Sequence, residues 1–175
     1  MQSPEDQPTH NGSKIIAMMQ TAQCLQFKSL VECLKDLLVE VSLEFIEDTG
    51  IRIIRIDPGH IGVVHLVINN VEYFYVKGGA EKKVVCGLNM GIPYKMIRGM
   101  SSSDLMAWRV YEDEPNTLYI ELSNTERRTK TVNSIKLLDL DDVEIEIPSI
   151  EFDRVVSMPS GEFSKHVREM SSTSK

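Results

Sequence analysis

Residues 51–88, IRIIRIDPGHIGVVHLVINNVEYFYVKGGAEKKVVCGL, hold four β-branched runs separated by turn-forming residues. The runs cover 51–56, 62–68, 71–77 and 83–88, and the breaks are Asp57-Pro58-Gly59, Asn69-Asn70 and Gly78-Gly79. Thr49-Gly50 marks a turn just before the first run. Short runs rich in Val and Ile between such breaks read as strands.

Upstream the period changes. Phe27, Leu30, Val31, Leu34, Leu37 and Leu38 recur at steps of three and four, which predicts one buried face of a helix. Lys28 and Lys35 share a second face of it, with Glu32 between them. Before this helix, 14–19 reads as a short apolar strand, and 1–13 as a disordered leader without the charged-then-apolar order of a secretory signal.

Downstream, Pro93 suits the first turn of a second, short helix over 92–100, on which Lys95 and Arg98 share a face. Residues 105–111 and 117–122 predict a hairpin around Glu114-Pro115-Asn116, and 132–138 a further strand. The acid-rich stretch 139–148, DLDDVEIEIP, alternates acids with aliphatics, which predicts Val143, Ile145 and Ile147 packed inward. After it, 151–158 reads as a strand, and Pro159-Ser160-Gly161 precedes a helix carrying Lys165 and Arg168. The class is α+β. The strand–helix order begins again near Glu151, so we expect a second domain that this chain only begins.

The 175 residues fit one ordinary domain or one plus part of another, and no apolar run approaches the ~18 residues of a membrane span. Three cysteines, Cys24, Cys33 and Cys86, form no CxxC pair, so we expect reduced and mostly buried thiols. The formal net charge of -7 repels nucleic acid on average but leaves room for a basic face.

A search for chemistry is mostly negative. GxSxG, HExxH, Walker A and dinucleotide fingerprints are all missing. His60 follows a turn, His65 lies in an apolar strand, and His10 and His166 fall in the leader and the last helix. An unrelated α+β enzyme would first betray itself by a functionally required His60 or His65. A calcium loop begun at Asp139 would need Gly sixth and Glu twelfth, and those positions hold Glu144 and Ile150. Neither a metal site nor a cofactor is expected. The positive signal is three cation pairs at helical spacing, Lys28/Lys35, Lys95/Arg98 and Lys165/Arg168. If their helices line one surface, that surface would hold nucleic-acid phosphates without reading sequence.

Leu137-Leu138-Asp139-Leu140-Asp141 through Ile147-Pro148, followed by Met158-Pro159-Ser160-Gly161-Glu162-Phe163, resembles the interdomain connector and next helix of the proliferating cell nuclear antigen family. That family comprises the eukaryotic and viral DNA sliding clamps. Leu34-Lys35-Asp36-Leu37-Leu38 is similar to its first helix, 50–57 and 60–66 to the strands that follow, and Gly87-Leu88-Asn89 to the lead into its second helix. The likeness covers roughly residues 16 to 175.

The resemblance implies a DNA clamp fold, with antiparallel sheets and two helices per domain. Its domains would be 14–138, a connector at 139–150 and the incomplete start of a second domain at 151–175. Three family subunits close into a ring around duplex DNA, helices inside, with no reaction to catalyse. By position, Lys28, Lys35, Lys95, Arg98, Lys165 and Arg168 would face DNA, while Ser29 stands where the family often has Lys. Ile56, His60, Ile61, Val63, Leu140, Ile145, Ile147 and Pro148 would receive the helical plug of client proteins. The implied partners are double-stranded DNA, DNA polymerase, a flap nuclease, a ligase, the clamp loader and other clamp subunits. The implied location is the nucleus, or the replication site of a host cell. A chain of this length should not close the usual ring unaided. The alternative is a shortened clamp-like regulator that binds clamp subunits or clients without encircling DNA.

Overall fold

The computed structural model describes residues 12–56, 59, 62–77, 82–140, 145 and 153–173. The chain divides into two units, Met1–Ile145 and Glu146–Lys175.

In the first unit, β1 (Ile15–Thr21) leads into α1 (Cys24–Leu37), then β2 (Glu40–Ile46), β3 (Gly50–Ile56), β4 (Val63–Ile68), β5 (Tyr73–Val76) and β6 (Lys83–Asn89). Then follow α2 (Gly91–Ile97), β7 (Leu105–Tyr111), β8 (Thr117–Asn124) and β9 (Thr129–Lys136). The strands form two sheets, in the orders β5-β1-β7-β8-β9 and β4-β3-β2-β6, and every pairing is antiparallel.

Alternation along the strands explains the layering. On β3, Ile51 and Ile53 are buried while Arg52, Ile54 and Ile56 point away from the core; on β8, Leu118 and Ile120 are buried while Tyr119 and Glu121 point away. Val41, Leu43 and Phe45 of β2 and Cys86 and Leu88 of β6 complete the buried face of the second sheet. Both helices cover this common core. Phe27, Val31 and Leu34 of α1 and Ile97 of α2 enter it, and Phe27 meets Trp108 of β7 edge-to-face, centroids 5.3 Å apart. Removing a side chain as large as Trp108 or Phe45, both fully buried, from water contributes about 2–3 kcal/mol.

Two glycines permit close backbone approaches. Gly50 opens β3 at φ +97, and a Cβ there would stand 2.2 Å from the Ile68 carbonyl oxygen of β4. At Gly87, in β6, a Cβ would stand 2.1 Å from the Leu138 carbonyl oxygen. The Leu138 N–H donates to the Gly87 carbonyl at 2.9 Å. The chain leaving β9, at the edge of the five-stranded sheet, thus crosses to the edge strand of the other.

Several boundaries differ from the sequence reading. That reading contains no β2, although the strand lies inside the four-stranded sheet. The second helix is shorter than expected; Pro93 is its third residue and is buried. β9 begins three residues earlier than the predicted strand, at Thr129. In the second unit, the strand expected over 151–158 is not formed across 153–158: these residues are exposed, and no described strand lies alongside to complete a ladder. The helix after Pro159 is present as α3 (Ser160–Thr173), and all its described residues are exposed.

Candidate functional site

The first candidate surface lies where α1 meets α2. On α1, Lys28, Glu32 and Lys35 are spaced four and three apart and so share one flank. Tyr94 of α2 reaches this flank. Its hydroxyl donates to Glu32 Oε1 at 2.7 Å, and its ring lies beneath Lys35 Nζ, 4.8 Å from the centroid. The hydrogen bond to Glu32, more than burial, pushes the phenol pKa up. Lys35 also donates to Asp36 at 2.5 Å, and this bond is the main reason its ammonium pKa is raised.

Arg98 caps α2 one turn beyond Tyr94, near enough for its charge to act on the phenol, and Lys95 between them is exposed. The structure therefore brings Lys28, Lys35, Lys95 and Arg98 onto adjoining helices. Among the described residues, Lys28, Lys95 and Arg98 have no ion-pair partner. Four cations face two carboxylates, Glu32 and Asp36, in a chain whose net charge is -7. Both carboxylates sit on α1, so this helix carries acids as well as cations. Conversely, Arg52, Lys83 and Arg109 lie on strands.

Lys165 and Arg168 are exposed on α3, in the second unit, where Lys165 approaches Glu169 at 3.8 Å. The cations of each unit form their own group.

The second candidate surface is the outward face of the four-stranded sheet. Ile56 pairs with Val63 across β3 and β4, and both are exposed, 38% and 51%. Arg52, Ile54 and Ile56 share this face with Ser42, Glu44, Val85 and Gly87 by register. At the β6 end it deepens into a cleft of about 490 Å³, lined by Ser42, Val85, Gly87, Asn116 and the run 137–140. Leu140 of the expected client set lines this cleft, while Ile56 and Val63 lie beyond β2 on the same face. Ile145 is half-buried. His60, Ile61, Ile147 and Pro148 lie outside the described residues, as does Val143 of the inward-packing expectation.

Among the described residues, no histidine or cysteine stands in a group suited to catalysis. His65 is exposed on β4 and His166 on α3, where its only described partner is Glu169 at 3.6 Å. Burial pushes the Cys24 thiol up to about 11 and the Cys86 thiol up to about 12, so neither is a thiolate near neutral pH. Cys33 is exposed, so the expectation of mostly buried thiols holds for two of three. Among the described residues, no group of three His, Cys, Asp or Glu could hold a metal ion, and no helix is long and apolar enough to cross a membrane.

Residues 16–145 match the family model described as proliferating cell nuclear antigen, N-terminal domain. The chain belongs to the proliferating cell nuclear antigen family. It is also 32% identical over 157 residues to a probable DNA polymerase sliding clamp 1 of Paramecium bursaria Chlorella virus 1. That alignment covers 90% of this chain and 59% of the viral protein, so the chain spans about three fifths of its relative's length. Two antiparallel sheets with two helices on their common core make the first unit an α+β clamp fold. Members of this family act as non-enzymatic processivity factors for DNA polymerase.

Reading the sequence misses Tyr94 and the cleft residues Ser42, Val85 and Asn116. Tyr94 has one local signal, its place four residues before Arg98. The cleft joins strands distant in sequence and leaves no local signal.

Proposed function

We propose that this chain works as part of a DNA sliding clamp, keeping DNA polymerase at the primer end by tethering rather than by chemistry. The observation that carries this reading is the packed pair α1 and α2, which with the cap Arg98 carries four cations, Lys28, Lys35, Lys95 and Arg98, against two carboxylates on a chain of net charge -7. Duplex phosphates would meet this surface through ammonium and guanidinium groups that read no bases. Such contacts are weak and salt-screened, so a ring could slide without leaving the duplex. Lys165 and Arg168 on α3 would extend the same role in the second unit. In this proposal 14–138 is the first clamp domain, 139–150 the connector and 151–175 the start of a second domain.

Clients, including polymerase, clamp loader and repair proteins, would dock on the outward sheet face. There Ile56 and Val63, with Leu140 at the cleft, would receive an inserted helical turn, and the family resemblance adds His60, Ile61, Ile145, Ile147 and Pro148 to the set. A tethered client keeps a high effective concentration at its substrate. The edge of β9, unpaired among the described residues and with Val132 exposed at 49%, is suited to strand addition by another clamp subunit, as closure of a three-subunit ring requires. In a cell the site of action would be the nucleus.

The test is binding of the full chain to a 20-base-pair duplex, followed by fluorescence anisotropy over a range of low salt concentrations. Replacing Lys28, Lys95 and Arg98 together by Gln should weaken binding. It should also flatten the salt dependence, by about 0.9 in log–log slope for each phosphate that is no longer neutralised. Binding by the triple variant with unchanged slope would end the helix-face reading. Capture of a client peptide without any DNA binding would instead favour a regulator that does not encircle DNA.

A further inference from the structure

Glu32 stands where it could silence the cations around it. It lies four residues after Lys28 and three before Lys35, the two spacings at which a carboxylate and an ammonium on one helix pair. In the structure it pairs with neither. Its Oε1 accepts from the Tyr94 hydroxyl at 2.7 Å, a donor that is neutral and belongs to the other helix. The ring of the same tyrosine carries Lys35 Nζ at 4.8 Å.

We propose that Tyr94 is a positioning residue for phosphate binding. Its hydroxyl draws Glu32 toward α2 and so leaves the Lys28 ammonium unpaired, while its ring supports Lys35 on the helix surface. This rests on the reading that the α1–α2 surface faces DNA, and it adds a residue that carries no charge and touches no phosphate. The chemistry is simple. A carboxylate satisfied by a neutral phenol uses up no cation, whereas the same carboxylate released would find Lys28 one turn away. The raised phenol pKa agrees with a hydroxyl that keeps its proton in this bond.

The experiment is a double-mutant cycle on the full chain, read by anisotropy of a 20-base-pair duplex at several low salt concentrations. Tyr94→Phe removes the hydroxyl but keeps the ring beneath Lys35. It should weaken binding about two- to threefold at the lowest salt and flatten the log–log salt slope by about 0.9, the equivalent of one phosphate. Glu32→Gln removes the charge that the hydroxyl restrains, so adding Tyr94→Phe in that background should change neither affinity nor slope. A Tyr94→Phe effect of equal size in both backgrounds would overturn the proposal, because the loss would then not pass through Glu32. No change of slope on Tyr94→Phe alone would overturn it as well. Thermal midpoints of the variants separate either result from misfolding. The Lys28, Lys95 and Arg98 triple variant distinguishes the two levels. If it loses DNA binding while Tyr94→Phe does not, only the positioning role falls; if it binds normally, the DNA-facing reading falls with it.

Discussion

At the scale of single residues, the most exacting environment belongs to Glu44 on the outward face of the four-stranded sheet. It is 4% exposed, yet it is flanked by Arg52 Nε at 2.6 Å and Lys83 Nζ at 3.0 Å. Burial alone would raise its pKa, but the hydrogen bonds and charges of the two cations outweigh it and hold the carboxyl below its ordinary value. A carboxyl with a depressed folded-state pKa contributes stability that is fully present above its unfolded value, about pH 4.3, and is lost as pH falls through the folded value. Glu44→Gln should therefore destabilise the chain by roughly 2 kcal/mol at pH 7, since both cations would lose their counter-charge. The deficit should shrink as pH falls below the unfolded value and through the lowered folded-state value. Urea denaturation at pH 7 and pH 3 checks this; an equal deficit at both would show that Gln disturbs packing rather than charge.

At the scale of elements, the crossing of the chain from β9 onto β6 depends on Gly87 having no side chain. A Cβ at this position would meet a backbone oxygen at 2.1 Å, and backbone cannot yield as a flexible side chain would. Gly87→Ala should cost about 2 kcal/mol and displace Leu138 from β6. The direct reading is the Leu138 amide, which donates to the Gly87 carbonyl and should lose its hydrogen-exchange protection. Protection equal to wild type would mean that the crossing tolerates the methyl. The same displacement should open the cleft that Gly87, Leu138 and Leu140 line. Much of this level can be read in the sequence, because burial imposes periods of 3.6 and 2 that survive in the residues. The helix face of Phe27, Val31 and Leu34 and the turn at Glu114-Pro115-Asn116 are legible for that reason. β2 carries the strand period too, with Val41, Leu43 and Phe45 buried, but no Gly or Pro separates Leu37 from Glu40, so the end of α1 hides where it begins. At 153–158 the error runs the other way. Adjacent Val155 and Val156 look strand-like, but a strand exists only where another is present to share its hydrogen bonds.

At the scale of the whole molecule, the two units differ in what stabilises them. The first has a continuous core of two sheets and two helices, with Trp108, Phe45 and Leu88 fully buried. Its candidate surfaces are only half legible in the sequence, because cations at helical spacing are a local pattern whereas the Glu32–Tyr94 bond joins residues 62 apart. In the second unit α3 buries no described residue: Phe163 is 59% exposed and Met170 72%. A 14-residue helix without a packed face is marginal in water, since its hydrogen bonds barely offset the entropy of ordering it. Glu162 in its first turn favours the helix dipole, but the last turn carries no base to complete the effect. Amides of Ser160–Thr173 in this chain should therefore exchange within about tenfold of their unfolded rates, while those of β7 and β8 are protected by most of the global stability. Exchange followed residue by residue at pH 7 decides the matter. Protection of α3 matching that of β7 would mean that a partner surface, in this chain or a second copy, covers Phe163 and Met170. The dependence of that protection on protein concentration would then tell the two apart.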